Sequence, residues 1–424
     1  MTFRSEVFQN EYLAEDATQV NAIVTVTNEG PEGVGAGGEA VEIILLDCSG
    51  SMAHPPTKLR EARRATEAAI DCLRDGVHFA VVRGTGGADV VYPPEGECPD
   101  GLAQADPTTR DAAKAALSRL EASGGTAIGQ WLLRARELFA RRPDAIHHAI
   151  LLTDGKNEGE KRRAFEAAIE ACRGEFQCDC RGVGTDWAVS ELRAVATALL
   201  GSVDIIADPA GMTADFRAIT DAAMGRDVGD VALRVWVPQA AHLLFLKQAS
   251  PSLVDLTGMG VAVNALTTDF PTGAWGAESR DYHLCIEVPR QPVGSEMLAG
   301  RVTLVVGGQP VDQAKVLAIW TDDVARSTRI NRQVAHYTGQ AELAQAIHEG
   351  LDARRAGDDA TATARIRRAV ELAAETGNTA MSELLDKIAE VDPTTGTFQL
   401  KRRVEAADEM TLDTRSTKTV RVQR

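Results

Sequence analysis

Between residues 40 and 225 short apolar strands alternate with amphipathic helical stretches, and this alternation constrains the chain more than any other feature. Val41-Glu42-Ile43-Ile44-Leu45-Leu46 reads as a buried strand running into Asp47. A helix follows, with Leu59, Ala62, Thr66, Ala69, Ile70 and Leu73 at a 3.6-residue spacing. Residues 78–83 and 88–92 are strand-like around Gly84-Thr85-Gly86-Gly87, a hairpin signal. Asp106-Pro107 has the form of an N-cap and first helical position, opening a helix through Leu117 and Leu120. Further strands are expected at 146–153, 178–183 and 203–207, with helices around 163–173, 190–200 and 212–224. Repeated strand–helix units demand crossovers, so the fold class is α/β: a doubly wound, mostly parallel, Rossmann-like sheet covered on both faces.

The flanks have a different period. Residues 19–27 alternate polar with apolar at period 2, as in a half-buried strand. The Gly-rich stretch from Gly30 to Gly38 precedes a strand instead of joining strand to helix, so it reads as a connector and not as a dinucleotide fingerprint. After Gly229, strand-like runs at 231–237, 282–288, 301–306 and 314–320 suggest a small β-sandwich. From Arg326 three apolar stripes appear: Leu343, Ile347, Leu351; then Ile366, Ala369, Val370, Ala373; then Met381, Leu384, Leu385, Ile388. The expected organisation is therefore N-terminal strands of the sandwich at 1–39, the α/β domain inserted at 40–225, and the rest of the sandwich at 229–322. A C-terminal helical region at 326–392 and a disordered, basic, Thr-rich tail at 393–424 complete it.

Acidic residues outnumber basic ones 61 to 45, a net charge of −16. That balance argues against nucleic acid or an anionic membrane as partner, since both are met by clustered Lys and Arg. Met1-Thr2-Phe3-Arg4-Ser5-Glu6 holds no apolar run, and no stretch approaches the ~18–20 apolar residues that span a bilayer. Of seven cysteines, Cys48, Cys178, Cys180 and Cys285 lie in apolar runs, and no paired C-x-x-C motif suggests structural zinc. A cytoplasmic protein with free thiols is the expectation.

The residues with chemistry follow the first strand of the α/β region: Asp47-Cys48-Ser49-Gly50-Ser51. Strand-end loops at the carboxyl edge of such a sheet form the usual ligand crevice. Thr153-Asp154-Gly155 reaches the same edge after another buried strand, and Gly124-Gly125-Thr126 supplies a third loop. Taken singly, these residues serve equally well as turn and helix-cap residues.

Together, Asp47, Ser49, Ser51, Thr126 and Asp154 resemble the complete metal-ion-dependent adhesion site of von Willebrand factor A domains, over roughly residues 40–225. The resemblance implies a Mg²⁺ (or Mn²⁺) ion held by the Ser49, Ser51 and Thr126 hydroxyls, with the two aspartates often acting through water. Mg²⁺ requires octahedral oxygen coordination. Neutral hydroxyls quench its charge only in part, so a protein partner offering a Glu or Asp carboxylate is implied. The metal loops are expected at the surface, with both aspartates solvated when no ion is bound.

Catalysis is not expected. An aspartyl-phosphate phosphatase needs a second Asp two residues after the first, where this chain has Ser49. His147 and His148 are adjacent and point to opposite faces of their strand, and no Walker motif exists. The flanking regions look like those of bacterial cytosolic proteins with an A domain. Similar domains also serve as the non-ATPase partner of AAA+ chelatases and remodelling complexes, which is the alternative reading; a Mg²⁺-dependent phosphatase is a third. In the tail, Thr414, Thr417 and Thr419 lie among basic residues, and Thr417 and Thr419 each have Val three positions on. That spacing resembles what a forkhead-associated domain reads on phosphothreonine.

Overall fold

A computed structural model of the chain describes residues 2–30, 38–391 and 398–422. It divides into one compact unit of residues 36–229 and another made of residues 1–35 with 230–424. The chain opens with β1 (Phe3–Gln9), β2 (Tyr12–Leu13) and β3 (Gln19–Asn28). Most of the expected Gly-rich connector, 31–37, lies outside the described residues.

The unit 36–229 holds β4 (Ala40–Asp47), α1 (Thr57–Cys72), β5 (His78–Gly84), β6 (Ala88–Tyr92), β7 (Ala103–Gln104) and α2 (Pro107–Leu117). It continues with α3 (Ile128–Phe139), β8 (Ile146–Thr153), α4 (Arg162–Cys172), β9 (Gln177–Val183), α5 (Val189–Ala198), β10 (Val203–Ile206) and α6 (Met212–Met224). The sheet runs β10-β9-β8-β4-β5-β6, with β7 also paired to β5. Pairings from β10 to β5 are parallel; β6 and β7 are antiparallel. This is the mostly parallel α/β sheet that the strand–helix alternation requires. The central strand β4 is buried along its whole length because helices cover both faces. Asp106 caps α2 through a capping box with Thr109, and Pro107 occupies the first turn. One face of the sheet buries Ile44, Leu46, Ile150 and Leu152 against Leu59, Ala62, Ala69, Ile70, Phe216 and Ile219. Burying each large side chain contributes roughly 1.5–3 kcal/mol.

The other unit contains β11 (Val231–Trp236), β12 (His242–Ser250), β13 (Val254–Asp255), β14 (Val261–Asn264), β15 (Thr267–Pro271), β16 (Ser279–Glu287), β17 (Glu296–Val306) and β18 (Gln309–Trp320). Two sheets result, ordered β1-β3-β16-β12-β13 and β14-β15-β11-β17-β18-β2. β3 pairs antiparallel with β16 along nine residues, and β2 pairs with β18, so the N-terminal segment contributes to both sheets. Strands β12 to β15 escaped the sequence reading. Residues 243–246 are a short apolar run without the alternation that marks a half-buried strand.

Helices α7 (Val324–Ser327), α8 (Arg332–Arg355), α9 (Asp359–Glu375) and α10 (Thr379–Ile388) follow, then β19 (Ala389–Val391), β20 (Phe398–Leu400) and α11 (Ala406–Arg415). The three expected stripes meet in one core of Leu343, Ile347, Leu351, Ile366, Ala369, Met381, Leu385 and Ile388.

The expected disorder beyond residue 393 needs correction: β20, α11 and a docked terminal stretch occupy 398–422. Leu412 of α11 is buried in the helical core, and Thr414 is buried too, its hydroxyl donating to Met410 O at 2.9 Å. Leu253 N donates to Thr417 O, Thr419 N to Pro251 O and the Thr419 hydroxyl to Ala249 O. Polar composition concealed this because the anchors' partners are distant in sequence. All seven cysteines are free, and Cys48, Cys172, Cys178, Cys180 and Cys285 are buried. Among the described residues no helix is long and apolar enough to cross a membrane.

Candidate metal centre

Three loops converge where β4 and β8 end. Asp47 terminates β4, and its Oδ1 accepts from the backbone N–H of Ser49 at 2.7 Å, turning the chain into a short helical turn, Gly50–Ala53. The loop before α3 is stitched to this turn by the main chain: Ser123 N donates to Cys48 O at 2.7 Å and Gly50 N to Gly124 O at 3.0 Å. Thr126 is fixed from two sides, since Gly159 N donates to its carbonyl at 2.6 Å and Ala127 N donates to Thr85 O. Asp154 follows β8 directly, on the strand beside β4.

All five predicted residues are brought together. Ser49 Oγ and Ser51 Oγ are 2.9 Å apart, and the Ser51 hydroxyl donates to Asp154 Oδ1 at 2.6 Å. Thr126 joins them across Gly155: a Cβ there would stand 3.2 Å from Thr126 Oγ1 and 3.3 Å from Ser51 Oγ. Both hydroxyls therefore border one small space that a side chain would fill. The remaining Asp47 oxygen, Oδ2, accepts from the Thr153 hydroxyl at 2.5 Å.

One expectation about this site is overturned. Asp47 and Asp154 are not solvated; both have 0% exposure beneath the stitched loops. Burial pushes the Asp47 carboxyl up to about 6, against the hydrogen bonds from Thr153 and Ser49. Asp154 is instead paired with Lys58 of α1, whose Nζ lies 2.6 Å from Oδ2.

Thr153 and Lys58 join this cluster and were not singled out from sequence. Thr153 was visible as the neighbour of Asp154. Lys58 sat in an amphipathic helix, where a lysine reads as part of the solvated face; here it is 8% exposed. His147 and His148 stand away from the site. His147 is half-buried and bonded to backbone carbonyls of Arg142 and Glu175, and His148 is buried between Glu42 and Asp179.

Among the described residues no group of three or more His, Cys, Asp and Glu side chains is placed to hold a metal ion. An ion in this unit would therefore depend on hydroxyls. Three hydroxyls and two carboxylates are hard oxygen donors suited to a Mg²⁺-type ion, and the Gly155 gap and the buried Lys58 ammonium both fit a cation's place.

Comparison with known proteins agrees with this fold. The pattern of the von Willebrand factor type A domain matches residues 42–205, and that of the von Willebrand factor type A C-terminal domain matches residues 371–416. A solved von Willebrand factor type A structure from Catenulispora acidiphila is 52% identical, covering 99% of this chain and 97% of its own, at a TM-score of 0.94. The chain belongs to the von Willebrand factor type A family. Domains of this family are generally metal-dependent protein-interaction modules. The ArnB paralog VWA2 of Sulfolobus acidocaldarius, 12% identical over 99% of both chains, shares the fold at a TM-score of 0.60. An uncharacterized protein of Synechocystis is 30% identical over 219 residues, 50% of this chain and 49% of that protein. The chain thus spans about half the length of the curated relatives it matches.

Proposed function

We propose that this von Willebrand factor type A protein is a Mg²⁺- or Mn²⁺-dependent docking protein that captures a Glu or Asp carboxylate of a partner, and that it is not an enzyme. The observation that carries this reading is the convergence of Asp47, Ser49, Ser51, Thr126 and Asp154 on the gap beside Gly155. The three hydroxyls would be ligands and the two aspartates would balance the ion's charge, directly or through water. Neutral ligands leave the ion electrophilic, so an outside carboxylate is the natural last ligand. Free, mostly buried thiols fit a cytoplasmic setting.

Capture from lysate by immobilised protein, in Mg²⁺ and in EDTA, tests the reading and identifies the partner; the AAA+ ATPase and forkhead-associated alternatives would be recognised there. A partner retained in Mg²⁺ and lost in EDTA and in Asp47→Asn is the expected result. Equal retention in all three would overturn it. A screen with phosphomonoesters is expected to show no hydrolysis.

A further inference from the structure

An oxygen cage for a divalent ion has no need of a lysine, yet Lys58 reaches into this one. It lies in the first turn of α1 and is nearly enclosed, with its Nζ 2.6 Å from Asp154 Oδ2 and 3.6 Å from Asp186 Oδ2. A buried lysine is rare unless paired, and this pair sits on the fully buried carboxylate whose other oxygen accepts from Ser51. Asp186, by contrast, is exposed, so the ammonium spans one buried and one solvated acid. Removing every cation would leave Asp154 as an uncompensated buried charge, which is strongly unfavourable.

We propose that Lys58 is a resident counter-cation: it holds Asp154 while the site is empty and gives way toward Asp186 when a divalent ion enters, so that Lys58 sets the ion's affinity. This rests on the reading of the site as a metal centre. An ammonium and a dication repel at short range, the more so where water is excluded. The ion must therefore displace or offset the Lys58–Asp154 pair before it gains the carboxylate. The pair in turn keeps the loops assembled without metal, because Asp154 ties Lys58 of α1 to Ser51.

The test uses metal alone, with calorimetric titration of Mg²⁺ and Mn²⁺ into wild type, Lys58→Met, Lys58→Arg and Asp186→Asn. Lys58→Met is expected to bind Mg²⁺ about tenfold or more tighter, the ~1.4 kcal/mol scale of one displaced charge contact. Lys58→Arg should stay near wild type, and Asp186→Asn should bind more weakly, having lost the second resting place. Melting provides a second readout: Lys58→Met should lose stability in EDTA and regain it in saturating Mg²⁺. Equal or weaker ion binding by Lys58→Met overturns the proposal, as does stability lost equally in EDTA and Mg²⁺. If Lys58→Met fails to fold, unchanged affinity in Asp186→Asn overturns it instead. If neither wild type nor Lys58→Met binds an ion, the metal reading falls with it. Tighter binding without partner capture would sustain the Lys58 role and remove only the docking function.

Discussion

His148 Nδ1 lies 2.8 Å from Glu42 Oε2, across the register pair that joins β8 to β4 inside the sheet. On the far side of the ring, His148 Nε2 lies 2.9 Å from Asp179 Oδ2. Burial alone would lower the imidazole, but Glu42 and Asp179 overcome it and push His148 up to about 9. Asp179 is held well below its ordinary value against burial, by its bond to His148 and that ring's charge. The imidazolium is thus a structural cation between two central strands that are otherwise mainly Ala, Val, Ile and Leu.

The first prediction is a pH dependence with a fixed sign. A histidine raised in the folded state contributes stability that is fully present below its unfolded value, 6.5, and is lost as pH rises through about 9. The melting temperature should therefore fall by several degrees between pH 7 and 9.5. The buried thiols add to the fall only from about their ordinary value of 9.0, where unfolded thiols ionise while burial holds Cys48 and Cys172 up to about 12, so the slope below pH 9 belongs to His148. Replacing Glu42 and His148 together by Gln should flatten the slope; an unchanged slope would refute the assignment.

A second prediction concerns how the Thr126 loop is held. Gly159 N donates to Thr126 O, and a Cβ at Gly159 would stand 2.6 Å from that same oxygen. Gly159→Ala must push the Thr126 carbonyl, and with it the hydroxyl, away from the gap. Mg²⁺ affinity should drop by about tenfold, and stability should fall by roughly 1–3 kcal/mol, since the methyl meets main-chain atoms of Thr126 that cannot swing aside. Gly155→Ala, which puts a methyl beside both Thr126 and Ser51 hydroxyls, should impair binding more. Calorimetry on the two variants ranks them.

The third prediction separates binding from folding at Asp47. Asp47→Asn keeps an acceptor for Ser49 N and removes a charge that burial disfavours. In EDTA its melting temperature should match or exceed that of wild type, while Mg²⁺ binding is lost. A variant that melts well below wild type in EDTA would mean the charge itself organises the loops.

The α/β half was legible because its signals are local and repeated: a buried run at Ile43-Ile44-Leu45-Leu46, a 3.6-residue stripe, a cap at Asp106. The five oxygen donors were legible for the same reason, each standing directly after a strand or in a Gly-rich loop. Lys58 and Glu42 were not, because a charge inside an apolar pattern declares nothing about its partner. Asp154 lies 96 positions from Lys58 and His148 lies 106 from Glu42. The tail failed for the same reason in reverse. Its residues look solvated until Asp281, 140 positions before Arg421, is seen to be the anchor.

That anchor yields the last prediction. Arg421 donates from Nε and Nη2 to the two oxygens of Asp281, each at 2.9 Å, and the same carboxylate accepts from the hydroxyls of Thr25 and Tyr337. Asp281 is buried on β16, the middle strand of its sheet, and Arg421 is about half exposed, so the fork closes a polar hole there instead of burying a new one. Val422 packs beside it against the cluster of Ile23, Ala249, Val334 and Tyr337. Charge-assisted bonds of this kind contribute about 1.5–3 kcal/mol when enclosed, and exposure of the arginine reduces that to about 1–2 kcal/mol. Arg421→Ala should lower the urea midpoint accordingly, and removal of residues 416–424 should lower it further, since the Thr417 and Thr419 contacts go too. Docking also changes what a kinase could reach. Thr414 is enclosed and should stay unmodified in folded protein, whereas phosphate on Thr419 would break its bond to Ala249 O and should mimic the truncation. An unchanged urea midpoint in the truncated protein would return the tail to the solvated segment that its composition suggests.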